Sequence, residues 1–121
     1  SSAGSASAVA AGLVPFAIGS ETLGSIVSPC RQCGVAGLRP TFGAVSRHGA
    51  MPLSWTMDKI GVIARSAHCA AIVFDTMRGA DGKDPAARDT AFEFGGDTDL
   101  TALRFGVVAE QRFPRRDDER E

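Results

Sequence analysis

No charge of one sign dominates this chain: Lys+Arg 13 against Asp+Glu 14 leaves a formal net charge of -1. Bulk electrostatics therefore gives no support to a nucleic-acid or membrane-surface partner. No apolar run is long enough to cross a bilayer. The longest, residues 8 to 18, is broken by Gly12 and Pro15 and falls short of the ~20 residues a spanning helix needs. Cysteine is scarce, with Cys30, Cys33 and Cys69 alone. An odd count in a chain able to form a core argues against a disulfide scaffold, so a reducing cytoplasm is the default expectation. The Gly-x-x-x-x-Gly-Lys-[Ser/Thr] phosphate loop is missing, and no internal repeat is evident. There is no initiator Met, and the chain opens on small residues. It is expected to begin inside a domain, with any targeting segment upstream. What remains, 121 residues of which 44% are hydrophobic, suits one soluble globular unit with a modest core.

Periodicity predicts a mixture of short elements. Residues 3 to 13 are Ala-rich and place Ala6, Val9, Ala10 and Leu13 on one helical face, with Gly12 and Pro15 marking the end. Residues 16 to 18 predict a short buried strand, and residues 19 to 25 a polar, flexible loop. Residues 33 to 38 read as another strand, followed by a turn over Arg39-Pro40-Thr41-Phe42-Gly43. Residues 44 to 57 carry no period and are expected to be irregular; residues 60 to 63 predict a strand. Ser66 is a good N-cap for a helix to about residue 78, with Gly79 as its stop and Ala70, Val73, Phe74 and Met77 as its apolar stripe. Residues 79 to 101 predict a loop and residues 103 to 108 a strand. From Gln111 the chain is mostly charged and is expected to be a solvated tail. Such a mixture points to an α/β or α+β unit.

Ser25 is the strongest local candidate for chemistry. It follows Thr22-Leu23-Gly24, where loop meets structured chain, and Gly24 lets backbone amides approach a substrate closely. A serine nucleophile also needs a base and N–H donors for the oxyanion, and most Ser-Gly loops are only loops. Ser1 and Ser2 at a helix N-terminus offer an anion site, without a phosphate-loop pattern to support it. Cys30-Arg31-Gln32-Cys33 has the spacing of metal or redox sites. Cys69, His48 and His68 could add ligands, but none lies at finger spacing, and free buried cysteine is the commoner reading. His48 or His68 with Asp58 or Asp75 could serve a serine triad, yet no spacing singles them out from ordinary surface histidines. Met51, Trp55 and Met57 are expected in the core or on a pocket rim.

Several segments, taken in order, resemble one family. Ser1-Ser2-Ala3-Gly4-Ser5-Ala6 looks like a Gly-Gly-Ser-Ser-Gly-Gly-Ser run. Gly19-Ser20-Glu21-Thr22-Leu23-Gly24-Ser25-Ile26 looks like Gly-[Ser/Thr]-[Asp/Glu]-x-Gly-Gly-Ser-Ile. Cys33-Gly34-Val35-Ala36-Gly37-Leu38-Arg39-Pro40-Thr41 matches Cys-Gly-x-x-Gly-[Leu/Met]-[Lys/Arg]-Pro-Thr. Gly43-Ala44-Val45-Ser46-Arg47-His48-Gly49 and Met57-Asp58-Lys59-Ile60-Gly61 continue the series, so the likeness covers residues 1 to 85. Together they are similar to the amidase-signature family of serine amidohydrolases.

The resemblance implies an α/β fold, a mixed β-sheet flanked by helices. Residues 1–121 would form a partial amidase domain: core motifs in 1–85, then a variable loop, one strand and a charged tail in 86–121. It implies a Ser–cis-Ser–Lys triad with Ser25 as nucleophile and Ser1 as the bridging serine that follows a cis peptide bond. The other residue of that bond and the lysine are expected upstream; neither Lys59 nor Lys83 occupies the lysine's place. Backbone N–H groups of Thr22, Leu23, Gly24 and Ser25 are implied as the oxyanion hole, with no metal or organic cofactor. The implied partner is a small-molecule amide, not nucleic acid or membrane; a homo-oligomer stays open. The implied activity is amide hydrolysis. The alternatives are the glutaminase component of a tRNA-dependent amidotransferase and a non-catalytic amidase-like protein, which would lack the upstream lysine. Three departures stand out. Leu23 replaces the first glycine of Gly-Gly-Ser, and Val27 stands where many members carry Arg, which weakens the amidotransferase match. His68-Cys69 replaces an acidic pair at a helix start and is expected to affect only capping.

Overall fold

A computed structural model describes residues 1–95 and 99–106. Its elements are α1 (Ala3–Ala10), β1 (Phe16–Glu21), α2 (Val27–Cys33), β2 (Ala36–Leu38), β3 (Lys59–Ala64), α3 (Ala67–Met77) and a 3-10 turn at Leu100–Ala102. The three strands form one sheet in the order β1-β3-β2, with both pairs antiparallel. None of the described helices is long and apolar enough to cross a membrane.

Alternation along β3 divides the core in two. Val62 and Ala64 face α3 and pack with Ala44, Val45, Ala70 and Phe74. Ile63 faces the opposite way, into a cluster with Ala6 and Val9 of α1 and with Ile26 and Cys30 at α2. Helices thus cover both faces of a small sheet, in agreement with the α/β expectation. Ile26 is fully buried. It rests against glycines on all three strands: a Cβ at Gly19 would lie 3.0 Å from Ile26 Cγ1, at Gly61 3.0 Å from its Cδ1, and at Gly37 3.2 Å from its Cγ2. The sheet is bare where this side chain docks, and Ile26 seats the residue before it, Ser25.

The C-terminal half behaves as the sequence predicts. Ser66 Oγ accepts the Cys69 N–H at 3.2 Å and starts α3, and Gly79, at φ 111°, follows its cap. Elsewhere the expectations need correction. α1 ends at Ala10, and Ala10 and Leu13 are exposed, so only Ala6 and Val9 of its predicted face are buried. The strand predicted at residues 16 to 18 forms, but Phe16 and Ile18 are exposed rather than buried. Residues 19 to 21 belong to β1 rather than a loop, because Gly19, Ser20 and Glu21 pair with Gly61, Ile60 and Lys59. Residues 27 to 33 form a helix where none was expected; Pro29 is tolerated in its first turn, where backbone N–H groups lack helical partners. Cys33 closes that helix, so the predicted strand over residues 33 to 38 begins only at Ala36. Residues 103 to 106 are not strand, while 107 and 108 and the charged tail lie outside the described residues. The 79 to 101 segment is irregular as expected but contributes to packing: Phe92 meets Phe74 edge-on at 5.0 Å.

Candidate active site

Ser25 stands between the end of β1 and the start of α2. Gly24, at φ 88°, adopts the left-handed conformation that side chains resist, and this turns the chain from strand to helix. Glu21 closes the turn from beneath. Its carboxylate accepts the N–H groups of Ile26 and Val27 at 2.8 and 2.9 Å, so a long-range acidic side chain caps α2 in place of a local Ser or Asp. Burial pushes the Glu21 carboxyl up, but the N–H groups of Val27, Ile26 and Gly24 and the Arg39 guanidinium outweigh it. Its pKa lies below the usual value. Arg39 Nε stands 3.7 Å from the carboxylate.

The N-terminal serines reach the same place. Ser2 N–H donates to the Ser25 carbonyl at 2.9 Å. Ser2 Oγ both donates to Ser20 O and accepts Ser20 N–H, each at 3.1 Å, so its hydroxyl is engaged and not free for an anion. Ser1, Ser20, Thr22 and Ser25 line one cavity of about 290 Å³. Among the described residues, no protein acceptor takes the N–H groups of Thr22, Leu23 or Ser25, whereas that of Gly24 faces Glu21. The Leu23 side chain is exposed.

The opposite wall is fastened by two carboxylates. Asp58 accepts Thr22 Oγ1 at 2.6 Å and the N–H groups of Leu53 and Ser54 at 2.7 and 2.9 Å. The Thr22 hydroxyl, the Ser54 and Leu53 amides and nearby Arg47 hold its carboxyl below the usual range. Asp84, buried, accepts Arg47 Nε at 3.1 Å and Arg47 N–H at 2.9 Å. The Arg47 side chain and amide and the Ala86 amide lower its pKa to about 2. Arg47 also donates to Trp55 O at 2.6 Å and stacks 4.4 Å over the Phe42 ring. Lys59 Nζ donates to Thr22 O at 3.3 Å.

Ser1, Thr22 and Ser25 are therefore brought together. Other candidates are not. His48 is an exposed residue at the cavity, while His68 packs on Phe94 across the molecule. Asp58 is committed to Thr22 and Asp75 to Arg78, so no Ser-His-Asp arrangement forms among the described residues. Cys30 and Cys33 sit on α2 and Cys69 on α3, on opposite faces of the sheet. Met51 and Trp55 line the cavity, as a pocket rim would. Sequence reasoning missed the roles of Glu21, Arg47 and Asp84, because each works through a partner 5 to 37 positions away and leaves no local period.

Comparison with known proteins converges on one family. In Methanothermobacter thermautotrophicus, the GatA-type component of glutamyl-tRNA(Gln) amidotransferase is 44% identical over 110 residues, covering 91% of this chain and 24% of that protein. The crystal structure of the corresponding component from Thermotoga maritima gives a TM-score of 0.73 at 41% identity, over 75% of this chain and 20% of that one. Native peptide amidase from Stenotrophomonas maltophilia gives 0.68 at 53% identity, over 69% and 17%. The chain spans about a quarter or less of the length of these relatives. Residues 1–120 match the family described as Amidase, and the chain belongs to that family.

Proposed function

We propose that this chain carries the nucleophile and oxyanion loop of an amidase that cleaves carboxylic amides through an acyl-serine. The observation that carries the reading is the joining of Ser1-Ser2 to Ser25, by the Ser2 N–H bond to the Ser25 carbonyl and by the cavity that Ser1 and Ser25 share. Ser25 Oγ attacks the amide carbonyl carbon. Its proton passes through the Ser1 hydroxyl to a neutral lysine, which the family resemblance places before residue 1; burial of such an amine lowers its pKa toward neutrality. The N–H groups of Thr22, Leu23 and Ser25 hold the oxyanion, with that of Gly24 shared with Glu21. The C–N bond then breaks, Ser1 returns the proton to the leaving amine, and water releases the acid from the Ser25 ester. The substrate is a small-molecule amide.

A second reading, the glutaminase component of an amidotransferase, is favoured by the 44% identity to the Methanothermobacter protein. Stable co-purification with other components of such a complex distinguishes it from a stand-alone amidase. The amidase reading is tested by fluorophosphonate labelling of the full-length protein and peptide mapping. Ser25 is expected to take the label, Ser25→Ala to lose it, and Ser1→Ala to take it far more slowly. A folded protein unlabelled at Ser25 points instead to a non-catalytic relative.

A further inference from the structure

We infer that residues 51–55 form an acyl-binding wall and that the site takes amides with an apolar acyl chain. Met51, Leu53 and Trp55 are 94%, 83% and 76% exposed, and all three line the cavity shared by Ser1 and Ser25. One exposed apolar side chain is ordinary; three within five residues at a cavity mouth form a patch that calls for an occupant. The wall is held firmly. Asp58 grips the Leu53 and Ser54 amides, and Arg47, itself locked to Asp84, grips the Trp55 carbonyl. Asp58 also binds Thr22, so wall and oxyanion loop are fastened to one carboxylate. A substrate with its carbonyl at Ser25 extends its acyl chain along these side chains. An apolar lining with a few fixed polar groups is the usual build of a small-ligand site.

The inference takes its reaction from the amidase reading, but its test is a binding measurement. Full-length protein carrying Ser25→Ala is titrated by calorimetry with hexanamide and octanamide. Each buried methylene tightens binding about fourfold, so the two extra ones give a ratio of about sixteen. On the same background, Trp55→Ser and Met51→Ser, each at an exposed position, are expected to reduce that ratio to about four or less. Equal affinity for the two amides, or a ratio unchanged in both variants, overturns the inference; the second result would place protein rather than ligand against the wall. Turnover by the unsubstituted enzyme is read separately. An intact binding ratio without hydrolysis of either amide sinks the amidase reading and leaves the binding wall standing.

Discussion

Around Ser25 the backbone is shaped by residues with quite different roles. Gly24 supplies the left-handed turn, Glu21 gathers the N–H groups that follow, and Ile26 anchors the loop to the sheet. Thr22 is the exposed end of this construction, and its hydroxyl fastens the loop to Asp58 at 2.6 Å. Thr22→Val keeps the backbone N–H and the side-chain shape but removes that donor. Misplaced oxyanion donors weaken binding of the transition state more than of the substrate. We expect kcat of the full-length enzyme to fall about tenfold or more with KM little changed, and Thr22→Ser to restore most of it. A raised KM with unchanged kcat would assign Thr22 to substrate binding instead.

At the scale of elements, the contact between α2 and the sheet decides where the site sits. Its closeness depends on glycine: a Cβ on Gly37 of β2 would lie 2.6 Å from Cys30 Sγ as well as against Ile26. Gly37→Ala should therefore destabilise the full-length protein by about 1–3 kcal/mol, the usual cost of overpacking. Cys30→Ala in the same chain removes the collision. Urea denaturation should show the double variant more stable than the sum of the two single losses, by about 1 kcal/mol. Additive losses would mean that α2 shifts freely and that the close approach is not required. Helix α3 presents the contrary case. Its cap, stripe and stop are all local, and the sequence predicts it almost residue for residue.

Across the whole molecule, the Arg47–Asp84 pair joins the loop that forms the cavity wall to the segment after α3. The carboxyl of Asp84 is lowered to about 2 in the folded chain, against 3.8 for the free group. A depressed folded pKa stabilises above the unfolded value and is lost as pH falls through the folded one. The contribution of Asp84 is thus fully present above about pH 4 and disappears between about pH 4 and 2. Melting temperatures of the full-length protein at pH 5, 4 and 3 should fall, and Asp84→Asn should be less stable at pH 5 with a shallower acid slope. An identical slope in the variant would show that other carboxylates carry the acid sensitivity.

The sequence by itself determined the features whose causes are local or whose order along the chain is distinctive. The α/β class, the Ser66-capped helix and the run of family motifs through residues 1–85 were all legible there, and the resemblance named Ser1 and Ser25. Only the tertiary structure decided the rest. β1 extends to Glu21 because β3 offers partners for Gly19 to Glu21, and α2 forms after Ser25 because Glu21 caps it from another element. Polar residues 19 to 21 carry no strand period, and residues 26 to 33 carry no local helix start. The energy that orders both segments comes from hydrogen bonds and burial between parts of the chain distant in sequence.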